Sequence, residues 1–239
     1  LVLAVIYFGV DKFYLAPKRE AALVKQTKQA ITEQVASQEK SENEKSIAVL
    51  AFENRSADKA NEYFSDGVAE EILNSLAKVK DLKVAGRTSS FFFKGKNENL
   101  TTIGKTLGVA HVLEGSVRKQ GDKLRITAQL IRVSDGFQIW SENFEGTDAD
   151  IFALQEKIAR QVTSELKVAL NAGQQSQLID TGTSSPEAYA LYLQATAIFN
   201  RRDTAQYQDA VAALQKALAL DPTGKAATDQ TQIGYYTLK

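Results

Sequence analysis

An alternation of apolar and polar residues constrains this chain more than any other feature. In KLRITAQLIRV (123–133), Leu124, Ile126, Ala128 and Leu130 alternate with Arg125, Thr127 and Gln129. Successive side chains of an extended strand point to opposite faces, so this pattern belongs to a strand with one face buried and one wet. The preceding VAHVLEGSVRKQ (109–120) is joined to it through Gly121-Asp122, a two-residue hairpin signal. Asp135-Gly136 makes the next turn, into FQIWSENF (137–144). Connections this short cannot carry a crossover, so the three strands are expected to form an antiparallel meander.

Upstream, the periodicities alternate between strand and helix. SIAVLAF (46–52) is a short apolar run bounded by polar residues and reads as a buried strand. Asp66 is the expected N-cap of a helix that carries Glu70 and Glu71 in its first turn and Val68, Ile72, Leu76 and Val79 on one face. LKVAGR (82–87) reads as a second strand, and Thr101 as the cap of a shorter helix bearing Ile103 and Leu107 and closed by Gly108. After the meander, Ile151, Leu154, Ile158, Val162, Leu166 and Ala169 form a helical stripe. The order is strand, helix, strand, helix, three strands, helix. It predicts a mixed sheet with helices packed on it, of α/β (α+β) class, over residues 46–170.

The flanking segments differ in kind. LVLAVIYFGV (1–10) is uncharged and apolar, about half of the ~20 residues a membrane span requires. With Phe13 and Tyr14 suited to the headgroup boundary, residues 1–15 read as the C-terminal part of a transmembrane helix, a signal-peptide core or a buried soluble helix end being the other options. Residues 16–45 are rich in charges and helix formers, with a thin stripe at Leu23, Val24, Ala30, Ile31 and Val35, and read as a helical stalk passing into a linker. Residues 171–185 have linker composition, and Pro186 opens a further helical region running to 239.

Composition removes several function classes. Twenty-nine basic residues balance 29 acidic ones, so no net field draws the chain to nucleic acid. There is no cysteine and one histidine, His111, which excludes thiol chemistry and any site that needs two imidazoles. LTTIGKT (100–106) ends like a phosphate loop, but the first glycine of that motif falls on Asn99. The neighbouring carboxylates Glu70 with Glu71 and Glu142 with Glu145 read as a helix first turn and solvated strand residues. They are not a pair held across a cleft with separated pKa values. No catalytic residue, cofactor or metal is expected.

RTSSFFFKGK (87–96) is the most unusual segment, because three consecutive phenylalanines cannot all enter one side of a core. It is either a recognition edge, with Phe92 or its neighbours exposed and Arg87 and Lys94 beside it, or a strand wedged between two layers.

SIAVLAFEN (46–54), EYFSDGVAEEIL (62–73), RTSSFFFKGK, VLEGSVRKQGDKLRITAQLI (112–131) and DIFALQEKIARQV (150–162) together resemble the TolB amino-terminal-like domain of bacterial membrane proteins. In that family the domain stands between a membrane anchor and tetratricopeptide repeats. Ala210, Leu214, Ala217 and Pro222 are similar to the second-helix positions of such a repeat, and AATDQTQIGYYTLK (226–239) to the first helix of the next. The resemblance implies that Tyr189, Tyr192, Thr196 and Phe199, spaced three, four and three apart, line a partner-binding groove; they serve equally as an interface to the sheet domain. It further implies a single inner-membrane span with the soluble part in the periplasm. Lys12, Lys18 and Arg19 taken alone favour the opposite orientation. The implied role is a non-catalytic, membrane-anchored interaction or sensor module with protein partners, relaying an envelope signal through one helix. The alternatives are a structural anchor or scaffold subunit of a membrane complex, as related flagellar outer-ring proteins suggest, and the extracytoplasmic part of an adenylate cyclase.

Overall fold

The computed structural model describes residues 44–168, 183–202 and 204–224. The expected transmembrane stretch 1–15, nearly all of the stalk, the linker up to 182 and the further helix 226–239 lie outside these residues. Among the described residues no helix is long and apolar enough to cross a membrane.

Six strands form one mixed sheet: β1 (Ser46–Val49), β2 (Glu53–Asn54), β3 (Lys83–Val84), β4 (His111–Gln120), β5 (Lys123–Arg132) and β6 (Gln138–Thr147). Their order is β3-β1-β4-β5-β6, with the short β2 also beside β4. β1 runs parallel to β3 and β4, and parallel neighbours require crossovers, which helices supply here. The first is α1 (Glu62–Ala77); the second is made of two short helices, α2 (Arg87–Phe91) and α3 (Leu100–Leu107). The meander β4-β5-β6 is antiparallel, with Gln120 opposite Lys123 across the Gly121-Asp122 turn, as expected from the alternation. Gly121 has φ +62°, a left-handed conformation that favours glycine over bulkier residues.

Alternation distributes β1 between two cores. Ile47 and Val49 face α1 and meet Val68, Ile72, Leu76 and Leu113, whereas Ala48 and Leu50 face α3 and meet Ile103, Val112 and Val133. α4 (Ile151–Glu165) joins α1 on the first face, burying Ile151, Leu154, Ile158 and Val162 against Leu124, Ile126 and Leu130 of the meander. The opposite face of the meander carries Glu114, Thr127, Gln129, Ser141 and Asn143, none of them buried. Two further helices follow, α5 (Pro186–Arg201) and α6 (Tyr207–Leu220), paired through Ala195, Ile198, Tyr207, Ala210, Leu214 and Ala217. Pro186 occupies the first turn behind Ser185, whose hydroxyl accepts from the Ala188 N–H, and α6 stops two residues before Pro222.

Four local expectations are corrected. α1 begins at Glu62, so Asp66 lies one turn inside it rather than capping it. α3 is capped by Asn99, whose side chain accepts from the Thr101 N–H. The second strand shrinks to Lys83–Val84. RTSSFFFKGK is not a strand: Arg87–Phe91 is helical, and the N–H groups of Phe92 and Phe93 bond back to Thr88 and Ser90 carbonyls. A helical step of about 100° per residue sends three adjacent rings to three environments. Phe91 packs against the main core, Phe93 is buried in the second, and Phe92 is 65% exposed. The Gly-Lys-Thr of LTTIGKT lies inside α3, where a Cβ on Gly104 would stand 2.2 Å from a Val133 methyl. Close packing thus accounts for that glycine without a phosphate.

Candidate docking cleft between the sheet domain and the helical hairpin

α5 seats on α1 because Gly67 leaves a notch there. A Cβ at Gly67 would lie 2.5 Å from Leu193 Cδ2, so Leu193 fills the space of a side chain that α1 lacks. Beside it, Tyr189 is fully buried, its ring 5.1 Å from that of Phe152, and its hydroxyl accepts from Gln155 Nε2 at 2.7 Å. Burial, helped by the nearby Glu71, holds the Tyr189 phenol well above its ordinary pKa, and the same two causes raise Tyr192. Both tyrosines are therefore neutral hydrogen-bonding groups at physiological pH.

Next to this seam lies a cleft of about 650 Å³ between α1, α2 and α5. On the α1 side stand Glu62, Asp66 and Glu70, four residues apart and so on one face. Lys94 Nζ bridges the first two, 2.6 Å from a carboxylate oxygen of each, and Arg87 Nε stands 2.7 Å from Glu70 Oε2. The Arg87 guanidinium also lies 4.5 Å over the Phe91 ring. Burial raises the Asp66 pKa above the usual carboxylate range, and the Lys94 hydrogen bond opposes that rise. Thr196, Asn200 and Arg201 of α5 form the facing wall. The three carboxylates thus bond to cations from α2 and the turn after it, and this arrangement holds RTSSFFFKGK against α1.

Arg87, Lys94 and Thr196, drawn from two distant stretches of sequence, come together in this cleft. Tyr189 lies beneath it in the main core and Tyr192 is half-buried beside that core, whereas Phe199 packs within the hairpin, 5.2 Å from the Tyr207 ring. Phe92 points elsewhere, beneath Lys96 Nζ, which is 2.9 Å from its ring centre. The acidic stripe was missed in the sequence reading, although its spacing in EYFSDGVAE was a visible signal; the Gly67 notch had no such signal. A second groove, of about 750 Å³, shares Glu62 and Lys94 and extends to Glu114 on β4. Burial first, then Glu53, raises the Glu114 carboxyl pKa. His111 Nδ1 lies 3.3 Å from the Ser46 carbonyl oxygen, and burial lowers its pKa, in keeping with a structural histidine.

Residues 43–161 match the family described as "HilA/YgeH-like transcriptional regulator, second domain". The chain is 38% identical over 182 residues, 76% of its own length, to "Putative adenylate cyclase 3" of Rhizobium meliloti, and spans 31% of that relative. Among solved structures it is similar to TolB from Acinetobacter baumannii (15% identity, TM-score 0.37, covering 51% of this chain and 28% of that one). It is also similar to lipoprotein GNA1162 from Neisseria meningitidis (17%, TM-score 0.38, covering 53% and 99%). A further likeness is to the LpoB C-terminal domain from Salmonella enterica (16%, TM-score 0.36, covering 44% and 84%).

Proposed function

We propose that this chain is a non-catalytic interaction and sensor module of the bacterial envelope, which passes a signal to an output domain of another kind. One observation carries the reading. A match over 76% of the chain to a putative adenylate cyclase and a match over residues 43–161 to a transcriptional regulator's second domain necessarily overlap. A stretch held in common by proteins named for two different outputs is better suited to input than to either output. The cleft supports the same reading, because its carboxylates are held in ion pairs instead of standing free across a reacting centre. The proposal includes the membrane anchor at 1–15, a periplasmic soluble part and tetratricopeptide character for the α5–α6 hairpin. The similarity to the putative cyclase favours, as a second reading, the extracytoplasmic part of such an enzyme.

The purified 239-residue chain is expected to form no cyclic AMP from ATP with magnesium or manganese present. Turnover above the buffer background would end the non-catalytic reading. Alkaline phosphatase inserted after Lys239 in the native gene, so that the whole anchor is made, is expected to be active in cells; an inactive, fully expressed fusion would overturn the periplasmic placement.

A further inference from the structure

We propose that β6 is a docking edge that accepts one extended, basic strand of another protein, added to the sheet beside it. This deepens the interaction-module reading and rests on it. β6 ends the sheet order, so nothing among the described residues pairs with its outer side. Its register shows which backbone groups face that side. Gln120 and Lys123 close a two-residue hairpin, so Lys123, Arg125, Thr127 and Gln129 bond towards β4 and the residues between them towards β6. The Asp148 N–H donating to the Asp122 carbonyl at 2.9 Å continues that alternation. Trp140, Glu142, Phe144 and Gly146 therefore bond to β5, and the N–H and C=O groups of Ser141, Asn143 and Glu145 point out of the sheet. The next outward N–H, that of Thr147, is already closed by Asp150 Oδ2 at 2.8 Å. The open stretch is thus Ser141–Glu145.

Edge strands that must stay unpaired are usually short, or carry charges (lysine above all), proline or bulges along their length. β6 is ten residues long, contains no lysine, arginine or proline, and has its one irregularity at the far end, opposite Leu130/Ile131. Its charges select the partner. Glu142 is exposed, with no ion pair among the described residues, and Glu145 is paired with Arg125. Pairing with β6 of a second copy would gather glutamates along one edge with no cation from either strand, whereas a strand with alternate lysines or arginines answers Glu142 directly. Of the aromatic residues near this charge, Phe144 is buried in the core, while Trp140 and Phe137 offer apolar surface. The partly buried Trp140 and the Phe144 ring lie 6.0 Å apart on either side of Glu142, and Phe137 is 70% exposed just before the strand.

Trp140 is the chain's single tryptophan, so its fluorescence reports on this edge alone. The probe is an acetylated peptide of about eight residues, the length of an ordinary strand, alternating lysine with valine. Saturable change in Trp140 emission is expected. Glu142→Lys is expected to weaken binding by about tenfold or more and to restore it for the same peptide with glutamate in place of lysine. Asn143→Pro, which removes an outward N–H without touching the β5 ladder, is expected to abolish binding. If that variant fails to fold by circular dichroism, the charge swap still decides. No emission change at millimolar peptide, or equal affinity of both peptides for both charge forms, would overturn the proposal. Concentration-dependent dimerisation of the unmodified chain, lost in Asn143→Pro, would overturn it in favour of a second copy. These failures leave the module reading intact, whereas cyclic AMP formation would sink that reading without touching the edge.

Discussion

The two halves of the sheet meet their surroundings differently. Around β1 the sheet is covered on both faces, by α1 on one and α3 on the other, and all four β1 residues are buried. Beyond Val112 at the start of β4, which packs in the second core, most of the meander is covered on one face, and the alternating residues of β5 divide largely into a buried set and a solvated set. Parallel strands need helical crossovers, and those crossovers cover both sides; antiparallel strands joined by tight turns leave one side for water or a partner. Burial on both faces is therefore confined to one end of the sheet, while the open polar face and the β6 edge, unpaired among the described residues, lie at the other.

The sharpest way to break this comparison is to truncate one residue from each half. Ile72→Ala, beneath the covered half and fully buried, is expected to cost ~2–5 kcal/mol by urea unfolding. Gln129→Ala, on the open face, should stay within ~0.5 kcal/mol. Similar losses at both sites would refute the division.

The seam between α1 and α5 tests whether the hairpin belongs to the covered half. Tyr189→Phe removes the acceptor of the Gln155 amide, whose Oε1 already has no partner among the described residues, and should cost ~1–2 kcal/mol. Adding Gln155→Leu should recover part of that loss, because no buried polar group is then left unpaired. Additive losses would mean that the hairpin is held by something other than this contact.

Smaller still is the effect of pH through Asp66. Burial raises its folded pKa above the unfolded value, so the folded state binds this proton more tightly. The sign follows: between the unfolded pKa of about 3.9 and the higher folded one, this group adds stability as pH falls. Asp66→Asn removes that gain, so stability should fall more steeply on the acidic limb of the profile than in the unmodified chain. A flatter limb would show that the Lys94 ion pair outweighs burial.

Much of this architecture is legible along the chain. The period-two run from Leu124 to Leu130, the Gly121-Asp122 turn and the stripe from Ile151 to Val162 each specify an element through neighbours a few residues away. Helix starts are less legible, because Asp66 has the chemistry of a cap but is taken by Lys94, 28 residues downstream. The phenylalanine run is less legible again, since the hydrophobicity of three rings says nothing about which of two cores each one enters. Of the cleft, the sequence offered the Tyr189–Phe199 face as an interface to the sheet domain, but not its meeting with RTSSFFFKGK. Arg87 and Lys94 share this cleft with Thr196, next to the seam where Leu193 fills the notch left by Gly67.

By itself, then, the sequence determined the periods, the turns, the antiparallel meander and the exclusion of thiol or paired-imidazole chemistry. Those properties follow from residue type and short-range spacing. Tertiary structure alone decided which face of α5 the sheet domain covers, how the acidic stripe of α1 is neutralised, and that β6 is left at the end of the sheet. Each depends on close approach between residues far apart in the chain, where a missing Cβ or a single lysine settles the outcome and no local pattern records it.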